Sequence, residues 1–365
     1  ANQIYELWIQ TYPRNSVAHG NLASNYMVLG EYEKAVSETR ESLEAEPNNI
    51  IAYVNLIESY LALNRFDDAN SAIEEALKRK LDGLPVRLNM YILAFFRGDT
   101  PAMKEQADWA AGKLGAEDQM LSLESDTEAW SGKLGTARKL SRQAVESARG
   151  SDQKESAALW QANAAIREAL FGNADAARQN AAAAVVLAPG SHEAESQSAL
   201  AYTLAGDAAH AQALADDLAK RFPLDTVVQS VWLPSIHAQI ETGRKNASRG
   251  IELLQASAPY ELGMLSGNAP NSCLYPVYVR AQASLSGQQA SAAVAEFKKI
   301  LDHRGLVWNC ATGAIAHLGL ARAYASQGDT ARAKAAYEDF LGLWKDADPD
   351  IPVLIAAKSE YAKLQ

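Results

Sequence analysis

Apolar residues recur along almost the whole chain at the three- and four-residue spacing of an amphipathic helix, while alternating β-branched runs are nearly absent. The helical runs break at regular places. Gly30, Asn64, Gly98 and Gly132 follow one another in 34-residue steps, and Gly172 and Gly206 resume that step after a slip. Gly243, Gly287 and Gly328 continue the pattern at wider spacing. Other positions repeat in phase: Leu22 with Leu56, Tyr26 with Tyr60, Tyr32 with Phe66, Ala35 with Ala69, and Pro189 with Pro223. The chain therefore reads as a true internal repeat.

Leu22 and Tyr26 lie four residues apart, on one face of a first helix. Gly30 ends that helix, because Gly, and less readily Asn, takes the left-handed conformation at little cost. Ala35 then supplies a small side chain where the second helix crosses the first closely, and Pro47 stops the second helix and starts the next unit. One such hairpin cannot bury its own apolar face, so neighbours must stack.

These residues resemble tetratricopeptide repeats. Leu22, Ala23, Tyr26, Gly30, Tyr32, Ala35 and Pro47 match the family pattern, residues 16–49 and 50–83 fit it best, and 201–225 and 318–340 fit nearly as well. Glu124 and Glu128 stand where large apolar residues belong, so the fourth unit departs from the pattern. The resemblance implies an all-α, right-handed superhelical solenoid of about nine helix-turn-helix units. Residues 1–15 are expected to be the second helix of a truncated preceding repeat, which points to an excised or processed segment. Residues 16–151, 152–257 and 258–347 form N-terminal, middle and C-terminal repeats, with a loop insertion at 258–272, and 348–365 form a capping helix. The polar stretch 149–155 reads as a longer turn or a joint between halves.

Residues 257–261 (SAPYE), 297–305 (FKKILDHRG) and 340–351 (FLGLWKDADPDI) narrow the comparison. They resemble the C-terminal repeat region of bacterial, especially acidobacterial, serine/threonine kinase-like signalling proteins. No Gly-rich phosphate loop, HRD or DFG occurs in this chain, so the resemblance implies a partner or sensor region and no kinase catalysis. It also favours an extracytoplasmic domain of a membrane-anchored protein over a cytoplasmic one.

In the tetratricopeptide family the first helix of each unit lines a concave groove. Carried onto this register, the groove residues are Asn21 and Met27 in the first unit, Asn55, Glu58 and Leu61 in the second, and Asn89, Ile92 and Phe95 in the third. Asn21, Asn55 and Asn89 recur at one period, and an amide side chain can pair with either backbone group of a bound peptide. Local capping explains them equally well, and inter-repeat core explains Leu61, Ile92 and Phe95. The lysine of a carboxylate-clamping groove is replaced by Gly20, Val54 and Leu88, which favours an apolar or amphipathic segment over a chain-terminal carboxylate.

Composition and chemistry mainly exclude. A net charge of −10 over 365 residues, with no Lys/Arg-rich run, speaks against nucleic acid. No apolar run approaches the ~18–20 residues needed to span a bilayer. Six scattered histidines suggest no metal, and no GxSxG, P-loop or HExxH begins an enzymatic reading, so no catalytic, cofactor or metal residue is assigned. Cys273 and Cys310 fall near the starts of first helices in adjacent units; stacking brings them to bonding distance or leaves two separate thiols. The expected function is a protein- or peptide-binding module of a larger signalling protein. The alternatives are a module that self-associates into homo-oligomers, and an enzyme whose site carries no recognisable motif.

Overall fold

The computed structural model describes residues 2–264 and 273–364, and every regular element among them is helical. The chain runs through α1 (Asn2–Thr11), α2 (Ser16–Val28), α3 (Tyr32–Ala45), α4 (Ile50–Ala62), α5 (Phe66–Lys78), α6 (Leu84–Arg97) and α7 (Thr100–Ala110). It continues through α8 (Glu117–Trp130), α9 (Leu134–Gly150), α10 (Lys154–Leu170), α11 (Ala174–Leu187), α12 (His192–Leu204) and α13 (Ala208–Arg221). A π-helical turn, Val228–Trp232, leads into α14 (Leu233–Gly243) and α15 (Ala247–Leu253). Then come α16 (Tyr275–Ser286), α17 (Ala290–Asp302), the single turn α18 (Arg304–Val307), α19 (Ala311–Ser326), α20 (Thr330–Leu343) and α21 (Pro352–Ala362). The architecture is an α solenoid of helix-turn-helix repeats.

The caps explain the period. Asn15 and Asn49 begin α2 and α4 by accepting backbone N–H groups, from Ala18 at 2.9 Å and from Ile51 and Ala52 at 3.0 and 3.2 Å. Gly30 (φ 72°), Asn64 (φ 58°) and Gly98 (φ 67°) end α2, α4 and α6 in the left-handed conformation. Ala35 and Ala69 are fully buried at the crossings. Farther on, the left-handed residue is not the glycine expected: Lys245 (φ 67°) and Gln288 (φ 58°) take that role beside Gly243 and Gly287. Residues 149–155 hold no long joint, since α9 runs to Gly150 and α10 begins at Lys154.

The helices gather into two compact units. The first comprises Ala1–Ala111, Leu262–Ser272 and His303–Trp308; the second comprises Gly112–Glu261, Cys273–Asp302 and Asn309–Gln365. In the first unit, late connectors close the turns of early hairpins. Met264 N–H donates to the Met27 carbonyl at 3.1 Å, and the Tyr32 hydroxyl donates to the Leu262 carbonyl at 2.7 Å. Gly305 N–H donates to Asn64 Oδ1 at 2.9 Å, with Leu306, Val307 and Trp308 buried behind it. Arg304 stacks on Phe66 and Phe96 at 5.3 and 4.9 Å. A Cβ at Gly305 would lie 1.7 Å from the Leu61 carbonyl oxygen, so only glycine fits there.

The second unit uses the same device. Trp344 Nε1 donates to the Trp130 carbonyl at 3.0 Å, Asp348 N–H to the Gly132 carbonyl at 3.0 Å, and Val353 N–H to the Phe171 carbonyl at 3.2 Å. Asn309 reaches the Leu123 carbonyl and Thr127 Oγ1 at 2.8 and 2.9 Å. Cys273 and Cys310 are joined in a disulfide with their Cα atoms 5.6 Å apart. The insertion at 258–272 is described as far as Met264; the remainder, 265–272, lies outside the described residues. Glu261, at its start, is held by Arg280 at 2.8 Å and by Lys299. At the end of the chain, α21 buries Leu354 and Ala357, and Arg322 pairs with Glu360 at 2.8 Å.

Candidate functional site

Within the first unit, α2, α4 and α6 each bury most of their circumference and leave one narrow face open. On α2 that face carries Val17, Gly20 and Ser24; on α4, Ile51, Val54 and Glu58; on α6, Pro85 and Leu88. Spacings of three and four residues keep each set on one stripe. Val17 is 54% exposed and Ile51 68%, large values for aliphatic side chains one period apart. Asn55 Nδ2 donates to Ser24 Oγ at 3.2 Å, and Asn89 Nδ2 donates to Glu58 Oε1 at 3.3 Å. These cross-links fix the three faces side by side as one strip.

The residues expected in the groove divide accordingly. Asn55 and Asn89 are buried struts between successive first helices, and Asn89 also donates to the Pro85 carbonyl at 2.9 Å. Asn21 is half-buried in the first unit's α2. Met27, Leu61 and Ile92 are buried at 4%, 0% and 0% exposure, and the connectors at Met264 and Gly305 close against the Met27 and Leu61 carbonyls. Phe95 is half-buried with its ring 5.7 Å from Phe96. Glu58 remains half-buried on the strip.

Glu58 is electrostatically unusual. Burial pushes its carboxyl up to about 7, and the hydrogen bond from Asn89 pulls back only part of that rise. Among the described residues no lysine, arginine or histidine pairs with it. Tyr32 of α3, whose hydroxyl is tied to Leu262, is raised chiefly by burial and next by the nearby Glu58 charge. The strip is therefore an apolar surface with one poorly solvated carboxyl in it.

Sequence reasoning missed the connectors altogether. The signal for them was an apolar run, Leu306-Val307-Trp308, placed where a polar turn would be expected. A separate cavity of about 550 Å³ opens between α3 and α5 over Tyr53, Leu56 and Tyr60 of α4. Its polar walls are largely self-satisfied, with Tyr53 donating to Glu75 at 2.9 Å and Arg40 donating to the Tyr60 hydroxyl at 2.5 Å. Among the described residues no cluster of three or more His, Cys, Asp or Glu could hold a metal ion, and no helix is long and apolar enough to cross a membrane.

The tetratricopeptide repeat family matches residues 17–49 and 314–343. Yeast Tom70 is similar in fold over 100% of this chain and 91% of its own, at 13% identity and a TM-score of 0.41. A tetratricopeptide repeat protein from Parabacteroides merdae is similar over 88% and 99% of the two chains, at 13% identity and a TM-score of 0.35. PilW, a type IV pilus biogenesis factor, is similar over 69% and 96%, at 19% identity and a TM-score of 0.34. No curated protein sequence matches the chain. The two matched stretches coincide with α2–α3 and α19–α20, so those two hairpins of the α solenoid are similar to tetratricopeptide repeats.

Proposed function

We propose that the chain is a protein-interaction array that holds a segment of another protein on the open strip of α2, α4 and α6. One observation carries this reading. Val17 and Ile51 stand exposed one period apart on helices whose remaining faces are packed, so rigid apolar side chains are presented at a fixed step. A helical or extended segment with apolar side chains at matching intervals fits such a surface.

The context is a larger bacterial signalling protein with a kinase-like domain. That part rests on the resemblance at 257–261, 297–305 and 340–351, the stretches that lead into the turn-closing connectors. The Cys273–Cys310 bond supports an oxidising, extracytoplasmic location. Counting free thiols in chain isolated under thiol-blocking conditions tests that location; two free thiols would refute it.

The interaction reading is tested with Val17→Glu/Ile51→Glu, compared with Leu224→Glu, which alters a side chain 94% exposed in the second unit. Unchanged far-UV circular dichroism establishes that the variants fold. A partner cross-linked by the parent and by Leu224→Glu, but lost from the double variant, supports the strip. Identical capture by all three removes it.

A second reading, self-association, has its own observation. Ile4 and Leu7, three residues apart on one face of α1, are 70% and 63% exposed. Sedimentation equilibrium over a hundredfold concentration range, with Ile4→Glu/Leu7→Glu as the comparison, distinguishes a dimer formed through α1 from a monomer.

A further inference from the structure

The repeat phase supplies a comparison inside the chain for the lone carboxyl on the strip. Glu58 stands six residues before Asn64, which closes α4; Asp126 stands six residues before Gly132, two periods later. Each accepts from an asparagine nine residues before the next closing glycine, Glu58 from Asn89 at 3.3 Å and Asp126 from Asn163 at 3.0 Å. Asp126 has a further partner. Arg167 Nη1 donates to it at 2.6 Å, from a position five residues before Gly172. The residue at that place in the earlier pair, five before Gly98, is Leu93.

The same carboxylate–asparagine pair thus occurs twice, once with an internal cation and once without. The cation-free copy is half-buried on the face of α4 that carries Ile51 and Val54, on the strip to which α2 contributes Val17 and α6 Leu88. A carboxylate in apolar surroundings is poorly solvated, so a cation brought to it gains more than it would in water. At the turn end of the strip the Met27 carbonyl and the Asn64 side chain already hold segments from far along the chain, accepting from the Met264 and Gly305 N–H groups.

We propose that the strip is selective for a segment of a partner protein that carries one lysine or arginine among aliphatic residues, with Glu58 receiving the basic side chain. This rests on the interaction reading above and names the chemistry of its ligand. Binding takes the ionised form of Glu58, so that below about pH 7 it is accompanied by release of the carboxyl proton. The other titratable group acting there is the Tyr32 phenol of α3; α6 contributes the neutral Asn89 amide, and α2 places Ser24 on Asn55.

The test pans a phage-displayed library of random dodecapeptides against the 365-residue chain at pH 8, then against Glu58→Gln and against Val17→Glu/Ile51→Glu. Selected peptides are expected to carry Lys or Arg flanked by aliphatic residues and to lose at least tenfold in affinity on Glu58→Gln. Because the carboxyl sits at about 7, its ionised fraction falls about tenfold between pH 8 and pH 6. A synthetic copy of a selected peptide should therefore bind the parent about tenfold more weakly at pH 6, and Glu58→Gln with little pH dependence. Peptides lost from Val17→Glu/Ile51→Glu but showing no basic preference overturn this proposal and leave the strip standing. Peptides bound equally by the double variant, or no selected peptides at all, overturn both.

Discussion

Glu58 and Asp126 occupy the same place in the repeat, and each is bonded by the asparagine of the next first helix, yet their surroundings differ in kind. In the second unit Arg167 links Asp126 to Ser141, which bonds Ser125, and beside them Arg138 clasps Glu168 at 2.6 and 2.8 Å. Polar positions on these first helices have become a closed internal network. In the first unit Ile57, Leu93 and Ala94 stand at the places of Ser125, Arg167 and Glu168, so that only the Glu58–Asn89 pair is kept there. A repeat therefore fixes where a side chain stands, while single residues such as Arg167 or Leu93 decide whether that position serves stability or recognition.

The largest expected effect comes from breaking the closed half. Arg167 is 3% exposed, and burial already holds the Asp126 carboxyl above its ordinary range, with Arg167 and then Asn163 pulling it back. Arg167→Ala leaves that carboxyl without its cation, and should destabilise the second unit by about 3–5 kcal/mol in urea unfolding. The double variant Asp126→Asn/Arg167→Met should recover most of the loss. A single variant costing under about 1 kcal/mol would mean that the network contributes little to the closed half.

Next in size is the connector that closes the open half at its turn end. Gly305→Ala places a methyl group against the Leu61 carbonyl and should cost about 2–3 kcal/mol. Hydrogen exchange should show the amides after Asn64 and around Leu306 losing protection together. Loss confined to 303–308 would show that α4 does not depend on its connector.

Most of the hairpin scaffold was legible because it rests on local physics. Gly30, Asn64 and Gly98 needed a left-handed conformation, and Ala35 and Ala69 a close crossing, so the glycines and alanines marked the turns before any packing was known. The connectors were not legible. The bonds from Met264 to Met27 and from Gly305 to Asn64 join residues 237 and 241 positions apart, and no periodicity encodes such pairings. For the candidate site, the register assigned Glu58, Asn55 and Asn89 to one groove or, for the asparagines, to local capping; the structure leaves Glu58 half-buried and bonds each of those two asparagines to a neighbouring first helix. Their role depends on the distance between first helices, a tertiary quantity.

The open half can also be sharpened by pH. With its carboxyl raised to about 7, Glu58 contributes stability that is fully present below the ordinary carboxylate pKa and is lost as pH rises toward and through 7. Glu58→Gln keeps an acceptor for Asn89 and abolishes that loss. It should leave the first unit about 1–2 kcal/mol more stable than the parent at pH 8, with little difference at pH 4.5, by hydrogen exchange of α4 and α6. Equal stability at pH 8 would show that the carboxyl is better solvated than its surroundings suggest.

The smallest effect belongs to His19, the paired counterpart of Glu58 within the same unit. Burial alone would lower its pKa, but Nδ1 meets Glu38 at 2.7 Å and Nε2 meets the Pro13 carbonyl at 3.0 Å, and these acceptors together raise it. A raised histidine contributes stability that is complete below its ordinary value of 6.5 and disappears as pH climbs through the folded value. The first unit should thus weaken with rising pH through two groups, Glu58 from the ordinary carboxylate range up through about 7 and His19 from its ordinary value of 6.5 upward. His19→Gln should remove only the imidazole's share, costing about 0.5–1 kcal/mol at pH 6 and less at pH 8.5. If His19→Gln instead abolished the loss that begins in the carboxylate range, the assignment of that loss to Glu58 would fail, and with it the view that an uncompensated carboxyl distinguishes the open half from the closed one.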